Sequence, residues 1–369
     1  MPISARRTVR CLSDPAFVCA EHEQAAHLRM MARLAQLLRL PLGEDWSAAM
    51  AASADYFVPR LTLSSAQAAS CGIRSEHDLF GGVVPALHVG TKIITHGLFS
   101  SSSAAPPGWH AAFAEAVADV VLRGYSVFDR GDLQQAGRSL LGQGSLRLKP
   151  PSGIGGQGQR VVTHTDQLAA LYASPAEHER LASEGLVLEE DLTAVVTRSV
   201  GQVWLDGIRI SYVGVQRSTR DNHGAPVYGG SELWCVRGGF DALDQLDTDA
   251  NARLAIRQAR TYHEAALRCF AGIILSRANY DVAQGIDAQG HWRSGVLEQS
   301  WRAGGASAAE LEAVAILQQQ PQRQTVHVRT VERYGEAMAP PGAIVLFHGR
   351  DPRNGPLLKY AEVIPDAAA

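Results

Sequence analysis

The chain has 369 residues, enough to bury a large core, and its 46% hydrophobic and 19% charged content excludes a disordered polymer. Its 34 basic and 37 acidic side chains leave a net charge of −3, without the basic surplus of a nucleic-acid binder. The five cysteines are dispersed and form no CxxC pair, and no apolar run approaches the ~18 residues of a membrane helix, so the expectation is a soluble, cytoplasmic protein with reduced thiols.

Residues 1–88 read as a small α/β unit. "RRTVRC" suits a first strand, and "DPAFVCAEHEQAAHLRMMARLAQLLRL" a helix with apolar residues at helical spacing (Leu28, Met31, Leu34, Leu37, Leu38). "YFVPRLTL" is extended, "SAQAASCGI" a short helix ending at Gly72, and "DLFGGVVP" a glycine turn into a strand. The serine- and proline-rich "SSSSAAPPGW" is a linker. Beyond it, "HAAFAEAVADVVLRG" reads as a helix stopped by Gly124, "YSVF" as a strand, "DRGDLQQAGRSLLGQG" as a helix, and "SLRLKP" and "QRVV" as strands flanking a glycine loop. "THTDQLAALYAS" is a helix with Thr163 or Thr165 as N-cap, and "GLVLEEDL" a strand that ends in acids.

From 194 to 240 the pattern alternates and contains a tight Asp206-Gly207 turn. A long amphipathic helix follows ("TDANARLAIRQARTYHEAALRCFAGI"), then a hairpin ("RANYDVAQGIDAQGHWRSGVLEQSWR"). A helix ("SAAELEAVAILQQ") and the strands "QTVHVRTVERY", "AIVLFHG" and "KYAEVI" complete the chain.

Three features carry chemistry. The glycine loop matches GxGxxG at Gly153, Gly155 and Gly158, but a strand follows it where a dinucleotide fold needs a helix, and no Gly-Lys-Ser/Thr step closes it. Strand, glycine turn, strand is a flap whose backbone N–H groups can cover phosphates, with Lys149 adding a fixed charge beside it; the alternative is a surface hairpin with a snorkelling lysine. In the hairpin turning at "DAQG", Asp281 falls opposite residue 296 or 298, so Asp281 and Glu298 share a face. Two carboxylates there repel unless a cation separates them, and Mg2+ bound also by nucleotide phosphates suits that role; a solvated hairpin edge is the alternative. "VLEEDL" is either a plain strand end or a hinge whose backbone pairs with an adenine edge.

In this order the features resemble the ATP-grasp superfamily: "VGTKIITHGL" with Lys92, "LRLKPPSGIGGQGQ" with Lys149, "LVLEEDL" with Glu189 and Glu190, and "YD…GVLEQSWRAGGAS" with Asp281, Glu298 and Arg302. More narrowly, "FGGVVP", "TKIITH", "ANYDVAQG" and "VLEQSWRAGGASAAE" resemble the proteobacterial DUF3182 family, a domain of unknown function sometimes labelled biotin-carboxylase-like. The resemblance covers about 85 to 310.

It implies an α/β (α+β) ATP-grasp fold: an N-terminal α/β lobe (1–88), a central lobe with the flap (89–190) and a C-terminal lobe with the hairpin (191–366), ATP lying between the last two. It implies a ligase that activates a carboxylate as an acyl phosphate for attack by an amine or similar nucleophile, with ATP and Mg2+. Lys92 and Lys149 would hold phosphates; Gly155, Gly156, Gln157 and Gly158 would close over them. Glu189 and the backbone from Glu190 to Leu192 would hold adenine, Asp281 and Glu298 the metal, and Arg302, with Lys149, the transferring group. Gly304, Gly305, Ala306 and Ser307 would form a loop for a substrate carboxylate, and Arg220 lies in a candidate substrate loop with Arg217 and His223. The implied partners are ATP, a small carboxylate and a nucleophile, without nucleic acid or membrane and with room for a homo-oligomer.

Two departures stand out. Ser300 occupies the place where the superfamily has a metal-ligating asparagine, and Asp281 is far enough upstream of Glu298 for Asp287 to be a rival ligand. A phosphotransferase on the same scaffold and a nucleotide-binding protein without turnover therefore stay open. His88 and His96, flanking Lys92, either join the site or, as the more ordinary reading, are surface or capping residues.

Overall fold

A computed structural model describes residues 7–12, 19–46, 55–101, 103–153 and 158–365. The alternating pattern after residue 192 becomes an eight-stranded sheet in which all neighbours run antiparallel. Its order is Trp292–Ser300, Arg277–Ile286, Thr193–Leu205, Ile208–Arg220, Pro226–Arg237, Thr325–Tyr334, Gly355–Ile364, Ile344–Asp351. Asp206 and Gly207, at φ 49° and 74°, make the expected two-residue turn, which needs positive φ at both places.

Both faces of this sheet are covered. The helix Ala250–Cys269 lays Ala255, Ile256, Ala259 and Tyr262 onto Val200, Val213, Val282 and Val296. On the opposite face, Ser307–Gln319 and the N-terminal helix Glu21–Leu38 cover Val203, Ile210, Leu233 and Val328. The N-terminal helix thus shares a core with the C-terminal sheet, and the Arg33 guanidinium grips Glu312 with two 2.8 Å bonds. Val9–Leu12 and Tyr56–Pro59, on either side of this helix, pair in parallel as a βαβ unit requires.

A second sheet carries the flap. Its order is Gly124–Val127, Leu186–Glu190, Leu146–Lys149, Arg160–Val162, all antiparallel. Leu133, Leu140, Leu168 and Leu181 from its helices pack on Leu146, Leu148, Leu186 and Leu188.

Two local expectations need correction, and one helix was not expected. The helix after the linker covers only Ala111–Val117, followed by one tight turn, and Gly124 opens a strand rather than stopping a helix. A Cβ at 124 would lie 2.5 Å from the Leu188 carbonyl and 2.7 Å from His96 Nε2, so the glycine serves close strand approach. His164, not Thr163 or Thr165, is the N-cap of Thr165–Ala169, and Gln167 reaches back to the Thr163 and His164 N–H groups instead. Finally, Pro175–Glu184 is helical; its Ser174 cap, Pro175 and Glu177 capping box were readable in "SPAE" and point to a helix the periodicity alone did not suggest.

Candidate functional site

The site gathers where the flap sheet meets the hairpin of the eight-stranded sheet. Lys149 ends the strand Leu146–Lys149, and its Nζ contacts Glu189 Oε1 on the neighbouring strand. The other Glu189 oxygen meets His96 Nε2 at 3.0 Å. All three side chains are buried. Burial pushes the Glu189 carboxyl upward, but Lys149 and His96 together outweigh it and hold it below the ordinary range. His96 is therefore a buried partner of Glu189, which excludes the surface reading and leaves the other of the two sequence expectations.

Lys92 begins the tight turn Lys92–Thr95, which the Thr91 hydroxyl caps and the Gln299 amide anchors by donating to the Val89 and Thr91 carbonyls at 2.9 and 2.8 Å. Its buried Nζ lies 2.6 Å from Glu298 Oε2 and 2.6 Å from the Gly153 carbonyl. One ammonium thus joins the glycine loop's entrance to the hairpin carboxylate. Gly155, Gly156 and Gln157 lie outside the described residues, and Gly158 has φ 74°, in the left-handed region that glycine tolerates.

Asp281 and Glu298 are direct cross-strand partners, as the alternation predicted, with a bulge immediately after, where Val282 pairs with Val296. Burial and the Glu298 charge push the Asp281 carboxyl above its ordinary value, although Asn279 and Gln216 pull the other way. The Asn279 amide donates to Asp281 Oδ1 at 2.8 Å, and the Ser199 hydroxyl donates at 3.4 Å. Asp287 is spent elsewhere: its Oδ1 accepts from the Gln289 and His291 N–H groups at 2.9 Å, and Oδ2 faces Arg123.

Ser300 stands opposite Asn279. From Asn279 a buried chain runs back to the Ser300 backbone. Asn279 Oδ1 accepts from the Tyr212 hydroxyl at 3.0 Å, with Glu310 Oε1 2.6 Å from the same hydroxyl. Glu310 is paired with Arg277 at 2.7 Å, and Arg277 donates to the carbonyls of Ser300 at 2.9 Å and Arg302 at 2.5 Å. Asn279, Arg277 and Glu310 were not singled out in the sequence; the register of the hairpin could have flagged Asn279, which alternation puts on the face of Asp281.

Arg302 has a carbonyl, that of Ala303 at 2.8 Å, as its hydrogen-bond partner. Burial and the nearby Arg277 charge press its ionisation downward, while Glu298 and Asp281 support it. Around Gly304 the two guanidiniums converge, a Cβ there lying 3.8 Å from a nitrogen of each. Gly305 abuts the Tyr228 ring, and the buried Ser307 hydroxyl accepts from the Gly304 N–H at 3.0 Å, shaping the loop. Glu190 turns away from Lys149 into an ion pair with Arg123 at 2.6 Å, and Leu192 packs with Leu122, Ala283 and Leu297. Arg220 is not brought to this cluster; it sits exposed at a hairpin end, donating to the Gly224 carbonyl at 2.7 Å.

The assembled groups are two lysines each held by a carboxylate, two facing carboxylates and a partly buried arginine. This chemistry suits a polyanion together with a divalent cation: the lysines could meet the anion, and a cation between Asp281 and Glu298 would relieve their repulsion. Among the described residues no group of three or more His, Cys, Asp or Glu converges as a preformed metal site, so such a cation would be completed by its anion.

Comparison of the whole structure gives the fold. N5-carboxyaminoimidazole synthetase from Staphylococcus aureus aligns at TM-score 0.53 and 11% identity over 98% of this chain and 94% of that one. Biotin carboxylase from Campylobacter jejuni, solved as its β,γ-ATP complex, aligns at TM-score 0.54 and 11% identity over 98% and 88%. The chain has the ATP-grasp fold. No curated protein matches its sequence. Residues 13–361 match the family described as "Protein of unknown function (DUF3182)", and the chain belongs to that family.

Proposed function

We propose that the protein is an ATP- and Mg2+-dependent ligase that activates a carboxylic acid as its acyl phosphate and passes the acyl group to an amine or similar nucleophile. The carrying observation is that Lys92 and Lys149, from separate segments, are both buried against carboxylates, Glu298 and Glu189. Buried ammonium–carboxylate pairs are costly unless their groups have further work, and here both lysines flank the glycine flap. In this reading the lobes are 1–88, 89–190 and 191–366. Lys92 and Lys149 exchange their carboxylates for ATP phosphates beneath Gly155 to Gly158. The backbone from Glu190 to Leu192, with Glu189, receives adenine.

The donor set fits Mg2+: two carboxylates on one face, with Asp281 pushed upward by burial and then by its neighbour Glu298. The metal would supply charge neutralisation on the transferring phosphoryl group. Arg302 is placed to steady that group, held by the Arg277 bond to its carbonyl. The Gly304–Ser307 turn, beside which the Arg302 guanidinium lies, would receive the substrate carboxylate.

The test is product analysis. Purified protein with Mg·ATP and a library of carboxylates should release ADP, and hydroxylamine should trap the acyl group as a hydroxamate. A stable phosphorylated product would make the protein a phosphotransferase instead. A second reading, nucleotide binding without turnover, draws on Ser300, whose hydroxyl lies 3.4 Å from an Arg277 nitrogen. It predicts ATP binding with no ADP release from any acid.

A further inference from the structure

The polar lining does not stop at Asp281. Cross-strand partners share one face of a sheet. Following the register from Asp281 gives Ser199, then Gly214, with Gln216 two residues on and on the same face. Gln216 partners Ser231, whose N–H bonds the Thr330 hydroxyl at 3.1 Å; two residues further, Glu332 partners Lys359. Hydrogen bonds link the row. Gln216 donates to Ser199 at 3.1 Å, and the Tyr228 hydroxyl lies 2.7 Å from that of Ser231 and 3.4 Å from that of Thr330. Elsewhere on the same face these strands carry Val203, Ile210, Cys235 and Val326, packed as core. These hydrogen bonds offset the cost of burying a polar row beside an apolar one on an inward face, and they carry polar character from Asp281 toward Glu332.

The far end of the row has demands that the protein leaves unmet. Lys359 Nζ lies 2.9 Å from Glu332 Oε1, and both side chains are largely buried. Burial pushes the Glu332 carboxyl upward, Lys359 only partly offsets this, and Glu23 adds a like charge. Tyr334 is likewise pushed up to about 12, first by burial and then by Glu332, Asp221, Glu23 and Asp351. Acids therefore predominate here. Independently, His22 is 6% exposed and its Nδ1 is buried with no hydrogen-bond partner among the described residues. His22 feels Lys359, Glu23 and Asp351, and its ring meets that of Phe347, the cross-strand partner of Lys359. Burial, then Lys359, lowers its ionisation and favours the neutral ring, in which one nitrogen accepts and the other donates. A buried carboxylate whose single cation is Lys359, beside a buried ring nitrogen without a partner among the described residues, can take a further donor.

We propose that the Glu332 end of this polar row, with His22, binds a primary ammonium group of the acceptor substrate, so that the nucleophile is a compound with a second, distal amine. The assignment rests on the ligase reading, because the row that ends at Glu332 begins at Asp281, the carboxylate which that reading gives to the cation. The reacting amine would lie near Arg302 and the distal ammonium at Glu332, with Lys359 displaced from its partner.

Putrescine is the probe, titrated calorimetrically into wild type, Glu332→Gln and Lys359→Met, each also titrated with Mg·ADP. Wild type should bind putrescine saturably and not the uncharged diol of the same length. Glu332→Gln should weaken putrescine roughly tenfold or more, the size of a lost charge-assisted hydrogen bond. Lys359→Met should tighten it, since a competing cation is gone. Unchanged affinity in Glu332→Gln, weaker binding in Lys359→Met (the sign of an anion site), or no putrescine binding by a wild type that binds Mg·ADP, each overturns the proposal. Loss of Mg·ADP binding in wild type counts separately, against the ligase reading.

Discussion

Lys92 and Glu298, far apart in sequence, form an ion pair at 2.6 Å in which the lysine is almost fully enclosed. The pair couples the turn Lys92–Thr95 to the hairpin carrying Asp281, and the same ammonium bonds the Gly153 carbonyl. The Lys92 charge is therefore balanced by a carboxylate of the protein. Glu298→Gln leaves Lys92 buried against a neutral amide. Because Glu298 itself is partly exposed, the expected loss is about 1–3 kcal/mol rather than the full penalty of a broken buried pair. If Lys92 holds phosphates as proposed, Mg-free ADP would restore a partner to it and should raise the melting temperature of Glu298→Gln more than that of wild type. Equal shifts would separate Lys92 from the phosphates.

Lys149 and Glu189 give a pH-dependent prediction. The Glu189 carboxyl is held below its reference value of 4.5, so it contributes stability that is present above that value and lost as pH falls through the lower, folded one. Lys149→Met removes the main force acting against burial. The Glu189 carboxyl should then rise above its reference value, making ionised Glu189 a liability at neutral pH that protonation relieves. The melting-temperature gap between wild type and Lys149→Met should be widest at pH 7 and narrow toward pH 5. Lys149→Met should also lose nucleotide binding, measured by ADP titration at pH 7.

Asp281 carries the opposite shift. Its carboxyl is pushed up by burial and by Glu298, so ionised Asp281 destabilises the ligand-free fold above its folded pKa and does so less as pH falls through it. Asp281→Asn should therefore raise the melting temperature of the ligand-free protein while abolishing the extra stabilisation that Mg2+ adds to ADP. Thermal unfolding with ADP, with and without Mg2+, checks both halves. A destabilised variant that keeps its Mg2+ response would remove Asp281 from the cation site.

What could be read from sequence was whatever depends on local period and order. Asp281 and Glu298 could be placed on one face because side chains alternate along a hairpin. Lys149 was legible because a strand and a glycine run bracket it. His96, Asn279, Arg277 and Glu310 were not, since each matters through a partner on a distant segment that no local pattern reveals: His96 meets Glu189, and Arg277 meets Glu310. Gly124 misled for a related reason. As a helix stop it is explained locally; as a strand residue it is explained by the Leu188 carbonyl pressing on it.

The Arg277–Glu310 pair makes the last prediction. Both side chains are almost completely buried, and the Arg277 guanidinium supports the Ser300 and Arg302 carbonyls while Glu310 is hydrogen-bonded to the Tyr212 hydroxyl. Glu310→Gln leaves an uncompensated guanidinium in the core and should cost about 3–5 kcal/mol. Removing both charges as Arg277→Met with Glu310→Leu should recover much of that stability, because desolvation is relieved together with the attraction. The backbone beneath Arg302 would still lose its two donors. The double variant should therefore bind ADP with near-normal affinity, since the lysines are untouched, yet release ADP from ATP far more slowly than wild type. Denaturant unfolding measures the first effect and steady-state ADP release the second. Full activity in a stable double variant would show that the buried pair serves the fold alone.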